Sequence, residues 1–276
     1  MIKDLIVNLA LGKPRDVAAD FAISIAAAFD AHACGVAFSY EPVVPPSVMG
    51  GVPADVIDVQ RAASESAADA AIASFETATR RAGIAAERRK LTASIGGAGD
   101  LFGRLARRFD LAVTAQAEPK HGTAQDLIIE GTLFGSGRPL IVVPYIQQGG
   151  LKLDRVMVCW DDSRPAARAI ADAMPFLARS SAIDVVMVAG GREKGNEIAG
   201  VDMGEHLARH GLKVDVKRIV STDVDVPNTI LSHAADIGAD FIVMGGFGHS
   251  RLREFVLGGA TRGILRAMTV PTLMSH

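Results

Sequence analysis

A chain of 276 residues, 49% hydrophobic and 22% charged, has an ordinary globular composition with room for one large domain or two small ones. A net charge of −2 and an aromatic content of 5% offer neither the basic surface nor the stacking platform that nucleic acid or an acidic membrane would need. Two cysteines, Cys34 and Cys159, cannot build a disulfide framework or a thiolate metal cluster, and no apolar run reaches the ~18 residues of a membrane-spanning helix, so a reduced, cytoplasmic protein is expected.

The first element is the apolar run at 3–9 (KDLIVNL), of buried-strand type. Residues 18–35 read as an amphipathic helix running into a strand. Their ending, AHAC, has the small-residue look of a leader-peptide cleavage site, but Asp20 and Asp30 interrupt the apolar stretch and argue against secretion. A Pro- and Gly-rich insertion at 41–51 is expected as a surface loop, with a lid over a site as the alternative. The glycine-rich segment Gly96-Gly97-Ala98-Gly99 has no strand directly before it and reads as a connection into a helix at 101–109. A strand follows at 109–115, then the segment 114–122 (TAQAEPKHG), then a strand at 138–144 and a flexible linker, Gln147-Gln148-Gly149-Gly150.

After the linker the strand at 154–160 leads into Asp162-Ser163-Arg164-Pro165, where Ser163 suits a helix N-cap and Pro165 the first turn. Ala167, Ile170, Ala171 and Met174 recur at helical spacing. A strand at 183–189, a helix at 201–210 stopped by Gly211, a half-exposed strand at 212–219 and a helix at 226–238 with Ile230, Leu231 and Ala234 inward come next. The chain closes with a strand ending at Gly245, a glycine loop, a helix and a last strand at 270–275.

The two halves begin and end alike: the run at 3–9 recurs at 154–160, that at 109–115 recurs at 239–245, and that at 138–144 recurs at 270–275. Strands alternating with helices argue for an α/β fold with parallel sheets covered on both faces. The expectation is therefore two tandem, doubly wound, five-stranded domains, at 1–147 and 152–276. In a sheet of strand order 3-2-1-4-5, ligands sit where the winding reverses, between strands one and four. Asp161 and the glycine loop both fall there.

That loop is the most informative feature of the sequence. The strand empties into Gly245-x-x-Gly248, nine residues intervene, and Gly258 and Gly259 open a helix. Glycines admit close approach of backbone N–H groups to an anion, and a helix start adds unpaired donors and a positive dipole end. No Walker-type GxxxxGK[ST] occurs, and Gly246-x-Gly248 lacks the third glycine of the dinucleotide fingerprint, with Arg251 in its place. The loop resembles that of the universal stress protein family, which binds ATP through Gly-x-x-Gly, nine residues, then Gly-Ser/Thr. Gly245, Gly248 and Gly258 match its three glycines. The flanking strands at 240–245 and 270–274 and the Trp160-Asp161-Asp162-Ser163 segment also look like the family's. Taken with the repeat, the resemblance covers nearly the whole chain, as a tandem protein of adenine-nucleotide alpha-hydrolase-like fold.

The resemblance implies an ATP site, with or without magnesium, in the second domain. It is formed by Trp160, Asp161, Ser163, Met187, Val188, Met244, Gly245, Phe247, Gly248, Gly258, Gly259, Ala260 and Thr261. Five have a plainer reading: Asp161 and Ser163 as helix caps, Met187 and Val188 as core, Phe247 as packing under the loop. Gly259 stands at the family's Ser/Thr position, so a hydroxyl is missing there, and Thr261 is the candidate to replace it. In the first domain Glu118 would repel a phosphate, and Asn8 or Leu9 stands where the family has its strand-one Asp. That half is expected not to bind ATP, and instead to serve as the partner face of an internal pseudo-dimer or to hold another ligand.

His249, Arg251, Arg253 and Arg262 would balance phosphate charge or form a solvated face. His206 and His210 share a helix face at metal-ligand spacing but lack a third ligand, and read as a solvated pair. No nucleophile elbow or Cys–His pairing is evident, so catalytic residues are not expected. The functional expectation is a stress-response protein holding ATP as a regulatory or stabilising ligand without efficient turnover, within a pseudo-dimer or homodimer and with an unidentified protein partner. A slow ATPase or self-phosphorylating protein using the same pocket, and a nucleotide-free scaffold, are the alternatives.

Overall fold

The computed structural model describes residues 1–42, 53–118, 123–190, 197–221, 225–246 and 259–276. Most of the insertion expected as a loop or lid, and the glycine loop between 247 and 258, lie outside the described residues. The chain divides into two compact units, Ile2–Arg138 and Pro139–His276, with Met1 grouped with the latter.

The first unit runs β1 (Asp4–Asn8), α1 (Val17–Phe29), β2 (His32–Tyr40), α2 (Ala54–Ala82), β3 (Ala86–Ala93), α3 (Ile95–Ala106), β4 (Leu111–Ala115) and α4 (Thr123–Gly135). Its strands lie in the order β3-β2-β1-β4, all parallel. Leu5, Ile6 and Val7 of β1 and Leu111, Ala112 and Val113 of β4 are buried, as central parallel strands covered on both faces must be. Right-handed crossovers set α1 and α2 on one face, where they touch, and α3 and α4 on the other. Asp16 starts α1 by accepting from the backbone N–H groups of Ala18 and Ala19, and Asp30 ends it in the left-handed region at φ 51°.

The segment Gly96-Gly97-Ala98-Gly99 is not a connection but the first turns of α3, capped by the Ser94 hydroxyl, which accepts from Gly97 N. Glycine disfavours a helix by about 1 kcal/mol per residue, and tertiary packing overrides that here. A methyl on Gly99 or Gly103 would collide with backbone of α4 at Leu127 and Gly131, and one on Gly131 with backbone of α3 at Gly99. The glycines let the two helices meet backbone to backbone.

The second unit contains β5 (Leu140–Val143), β6 (Arg155–Cys159), α5 (Arg164–Leu177), β7 (Ala182–Gly190), α6 (Glu197–Arg209), β8 (Val214–Ser221), α7 (Val226–Ile237), β9 (Phe241–Gly245), α8 (Gly259–Ala267) and β10 (Thr272–Ser275). Five parallel strands stand in the order β8-β7-β6-β9-β10, which is the expected 3-2-1-4-5. The difference from expectation is β5. It groups with this unit and runs antiparallel along β10, with Leu273 opposite Ile141, so the sheet is mostly rather than wholly parallel.

Ser163 caps α5, its hydroxyl accepting from Ala166 N at 3.2 Å, with Pro165 in the first turn. The buried face of α5 is Ala166, Ala169, Ile170, Ala173, Phe176 and Leu177, whereas Ala167 and Ala171 of the expected face are exposed. The phase is fixed by Phe176, which stacks on Phe241 of β9 with ring centroids 5.3 Å apart. No helix among the described residues is long and apolar enough to cross a membrane.

The halves also share a device at the amino ends of their strands. Asp110 Oδ2 accepts from the backbone N–H groups of Lys3 and Asp4 at 2.8 and 3.1 Å, and Asp240 Oδ2 accepts from those of Asp154 and Arg155 at 3.0 and 3.4 Å. Each aspartate ties the start of the fourth strand of its repeat to the start of the first.

Candidate functional site

In the second unit the winding reverses between β6, which leads on to β7 and β8, and β9, which leads on to β10. Cys159 pairs with Met244 across this boundary, so the carboxyl ends of the two strands open side by side. Trp160 and Asp161 follow β6, Gly245 ends β9, and Gly259, Ala260 and Thr261 begin α8. Most of the predicted residues are thus brought to one end of one sheet. Phe247, Gly248 and Gly258 lie outside the described residues, as do His249, Arg251 and Arg253.

The positions differ in what the surrounding structure already asks of them. Gly245 is required by packing: a methyl there would come within 2.5 Å of Ala166 N and 2.8 Å of the Pro165 carbonyl carbon. The amino end of α5 therefore abuts the end of β9. Gly259 has no atom within 4 Å of where a methyl would sit, so its lack of a side chain is not a packing need. Thr261 is 3% exposed and shares the buried face of α8 with Ile264, so its hydroxyl belongs to the inward side of the helix. Met244 is buried in β9, and Met187 of β7 packs against the backbone of α6 at Gly200, while Val188 is half-buried.

Asp161 is exposed and its Oδ1 accepts from Ser163 N at 3.1 Å, which shapes the turn into α5. Asp162 takes up the reversal in the left-handed region at φ 60°. The carboxylate of Asp161 is also felt by Cys159, whose thiol is pushed up to about 12, by desolvation first and by this charge second. In a Cys34→Ser background, Asp161→Asn is accordingly expected to speed alkylation of Cys159 by iodoacetamide at pH 8.5 by about two- to five-fold, through a larger thiolate fraction. An unchanged or slower rate would place the charge elsewhere.

The corresponding end of the first unit is built differently. Asn8 ends β1 and is 5% exposed; its Nδ2 donates to Gln125 Oε1 at 3.2 Å. Gln125 Nε2 in turn donates to Ala115 O at 2.8 Å and to the Thr114 hydroxyl. Gln125 is the third residue of α4, as Thr261 is of α8. Its longer side chain reaches the sheet and joins Asn8 to Thr114 across the β1–β4 boundary. Lys13 and Glu118, from the loops after β1 and β4, form an ion pair at 2.8 Å. The two amides are thus linked across the strand ends, and Asn8 Oδ1 is left without a hydrogen-bond partner among the described residues. Leu9 N donates to Val36 O as Trp160 N does to Val186 O, which makes Ala10, rather than Asn8 or Leu9, the counterpart of Asp161. Sequence reasoning saw Glu118 as a charge hostile to phosphate, but the roles of Lys13 and Gln125 carried no local signal.

His206 and His210 stand edge to face, ring centroids 4.9 Å apart, and no group of three potential metal ligands occurs among the described residues. Cys34 and Cys159 are not joined to each other.

Residues 152–276 match the model of the universal stress protein family. A universal stress protein of Synechocystis sp. is 28% identical over 142 residues, which are 49% of this chain and 46% of that protein, so the match spans about half the length of this curated relative. A crystal structure of a universal stress protein from Archaeoglobus fulgidus DSM 4304 superposes with a TM-score of 0.68 at 19% identity, covering 98% of this chain and 97% of that one. A functionally unknown protein from Pseudomonas aeruginosa PAO1 gives 0.62 at 12% identity, covering 99% and 92%. At these identities the superpositions establish the fold alone.

Proposed function

We propose, from the match of residues 152–276 to the universal stress protein family, that this chain has a role in the stress response and that its second unit binds ATP in the crevice between β6 and β9. The nucleotide acts there as a regulatory or stabilising ligand and is not efficiently turned over. The observation that carries this reading is the contrast between the two switch points. In the second unit Asp161 is exposed at the mouth and Gly259 adds no side chain. In the first unit Asn8, Thr114 and Gln125 occupy the same place. The residues present suit a nucleotide at one end and are plainer at the other. The glycine loop supplies backbone donors to phosphate, and Thr261, in the first turn of α8, is the hydroxyl that would stand in for the family's Ser or Thr. Asp161 would meet the nucleoside, and a magnesium ion, where bound, would neutralise phosphate charge.

Titration of the full chain with ATP and magnesium by calorimetry tests this. One ATP per chain is expected, and Gly248→Val should weaken binding by at least about tenfold, since a branched side chain replaces the glycine where backbone must approach phosphate. No heat with the wild type would leave the scaffold reading, two ATP per chain would contradict a first unit that binds none, and phosphate release within hours would turn the protein into a slow ATPase. A cytoplasmic location goes with this reading, on the strength of the two unbonded thiols and an adenine nucleotide ligand.

A further inference from the structure

The sheet of the first unit ends in an open edge. β3 pairs with β2, and no other described strand lies along its far side. Ala33 N donates to Ala85 O and Glu41 N to Ala93 O, which fixes the phase of the ladder. Bonds in a parallel pair are evenly spaced, with alternate residues of each strand taking part. The odd-numbered residues of β3 therefore turn their backbone groups to β2, and Ala86, Arg88, Lys90 and Thr92 turn theirs outward. All four are exposed, and their outward groups have no partner among the described residues. A row of unpaired N–H and C=O groups is a template for another strand.

Beside this edge α2 and β3 enclose a cavity of about 240 Å³. Gly35 of β2 lies against the Phe75 ring of α2 and pairs with Arg88, so the side chains of Arg88 and its even-numbered neighbours stand on the α2 side. Phe75, Ile84 and Ala86 give the cavity apolar walls, and Glu76, Arg80 and Arg88 give it a charged rim. A strand added along β3 would set every second side chain on that same side. Main-chain bonds to an edge, with a pocket for alternate side chains, are the two parts of recognition by strand addition.

The charges choose the partner. Glu76, Glu87 and Asp69 are already paired, with Arg88, Arg89 and Lys90. Arg80 and Arg81, in the last turn of α2, have no ion pair among the described residues, so the uncompensated charge is positive. A second copy of β3 brings the same surplus of cations, Arg88, Arg89 and Lys90 against Glu87, and is repelled.

We propose that the β3 edge of the first unit is a docking site for an extended acidic segment of a partner protein. The segment pairs with the outward backbone groups of Arg88, Lys90 and Thr92, sets an apolar side chain in the cavity over Phe75, and brings carboxylates to Arg80 and Arg81. The proposal does not rest on the nucleotide reading.

The test is fluorescence anisotropy of a fluorescein-labelled heptapeptide of alternating Glu and Val, amidated at its end, with the full chain. Binding is expected, and Arg80→Gln with Arg81→Gln should weaken it about three- to tenfold. A Lys–Val peptide should bind at least about tenfold more weakly than the Glu–Val peptide. Two N-methylated versions, blocked at the Glu amides or at the Val amides, separate strand addition from plain charge attraction. Only one set of alternate amides can face β3, so one version should lose at least about tenfold in affinity and the other stay within about twofold. Amide exchange needs no variant: Arg88, Lys90 and Thr92 should exchange fast in the free chain and slowly with peptide bound. A Glu–Val peptide that does not bind, a Lys–Val peptide that binds as well, an affinity blind to the two arginines, or two methylated versions that behave alike each overturn the proposal. Amides at these positions that are protected in the free chain at high concentration and not at low would place a second copy on the edge, which overturns it too.

Discussion

Gly245→Ala is expected to destabilise the second unit by about 2–3 kcal/mol with no nucleotide present, seen as a lower urea midpoint of the full chain. The added methyl would lie 2.5 Å from Ala166 N and 2.8 Å from the Pro165 carbonyl carbon, and neither neighbour can yield as a side chain could. Ala166 N is held by the Ser163 cap, and β9 is hydrogen-bonded on both sides, to β6 and to β10. Relief would require moving α5 off the sheet, against the stacked pair Phe176 and Phe241. Gly259→Ala is the control: open space surrounds that position, and the change should stay within about 0.5 kcal/mol of wild type. A Gly245→Ala chain as stable as the wild type would mean that α5 is free to shift, and the first glycine of the motif would then owe its identity to phosphate alone.

That double duty explains what could be read from the chain and what could not. The strands were legible because central parallel strands are buried on both faces and spell continuous apolar runs, as at 154–160 and 239–245. The phase of α5 was not. Alanine fits either face of a helix, so an alanine-rich stretch carries little periodic signal, and only Ile170, Phe176 and Leu177 distinguish the buried side. The glycines of α3 misled in the opposite direction. Their local preference is against helix, and the reason for them is α4, more than twenty residues further on.

The candidate site divides along the same line. Gly245, Gly259, Asp161 and Ser163 could be placed from spacing, because strand, loop and helix succeed one another along the chain. The amide cluster of the first unit could not. Asn8, Thr114 and Gln125 meet only through the β1–β4 register and the length of one glutamine side chain. The charge on Glu118 was visible, and its partner Lys13 was not. Trp160 stood in the right segment, but that its N–H is buried without a partner among the described residues is a property of packing.

The buried carboxylate of Asp184 gives the largest electrostatic effect expected in this molecule. It lies in β7, its side chain only 2% exposed, and both oxygens are paired: one with Arg155 of β6 at 3.2 Å, the other with Lys217 of β8 at 2.6 Å. The two cations are 39% exposed and keep part of their hydration. The cost of breaking the cluster therefore depends on which side is removed. Arg155→Met with Lys217→Met leaves an anion in the sheet with neither counter-charge, and is expected to cost about 3–5 kcal/mol. Asp184→Asn leaves two cations that can turn to water and should cost about 1–2 kcal/mol. Adding Asp184→Asn to the double variant should recover part of the loss, because it removes the uncompensated charge. Urea denaturation of the four chains measures all of these terms. If the double variant proves no less stable than Asp184→Asn, water reaches the carboxylate and the three-strand cluster does not hold the charge. The sequence shows a lone acid second in an apolar strand; it acquires its meaning only when β6 and β8 supply a cation from either side.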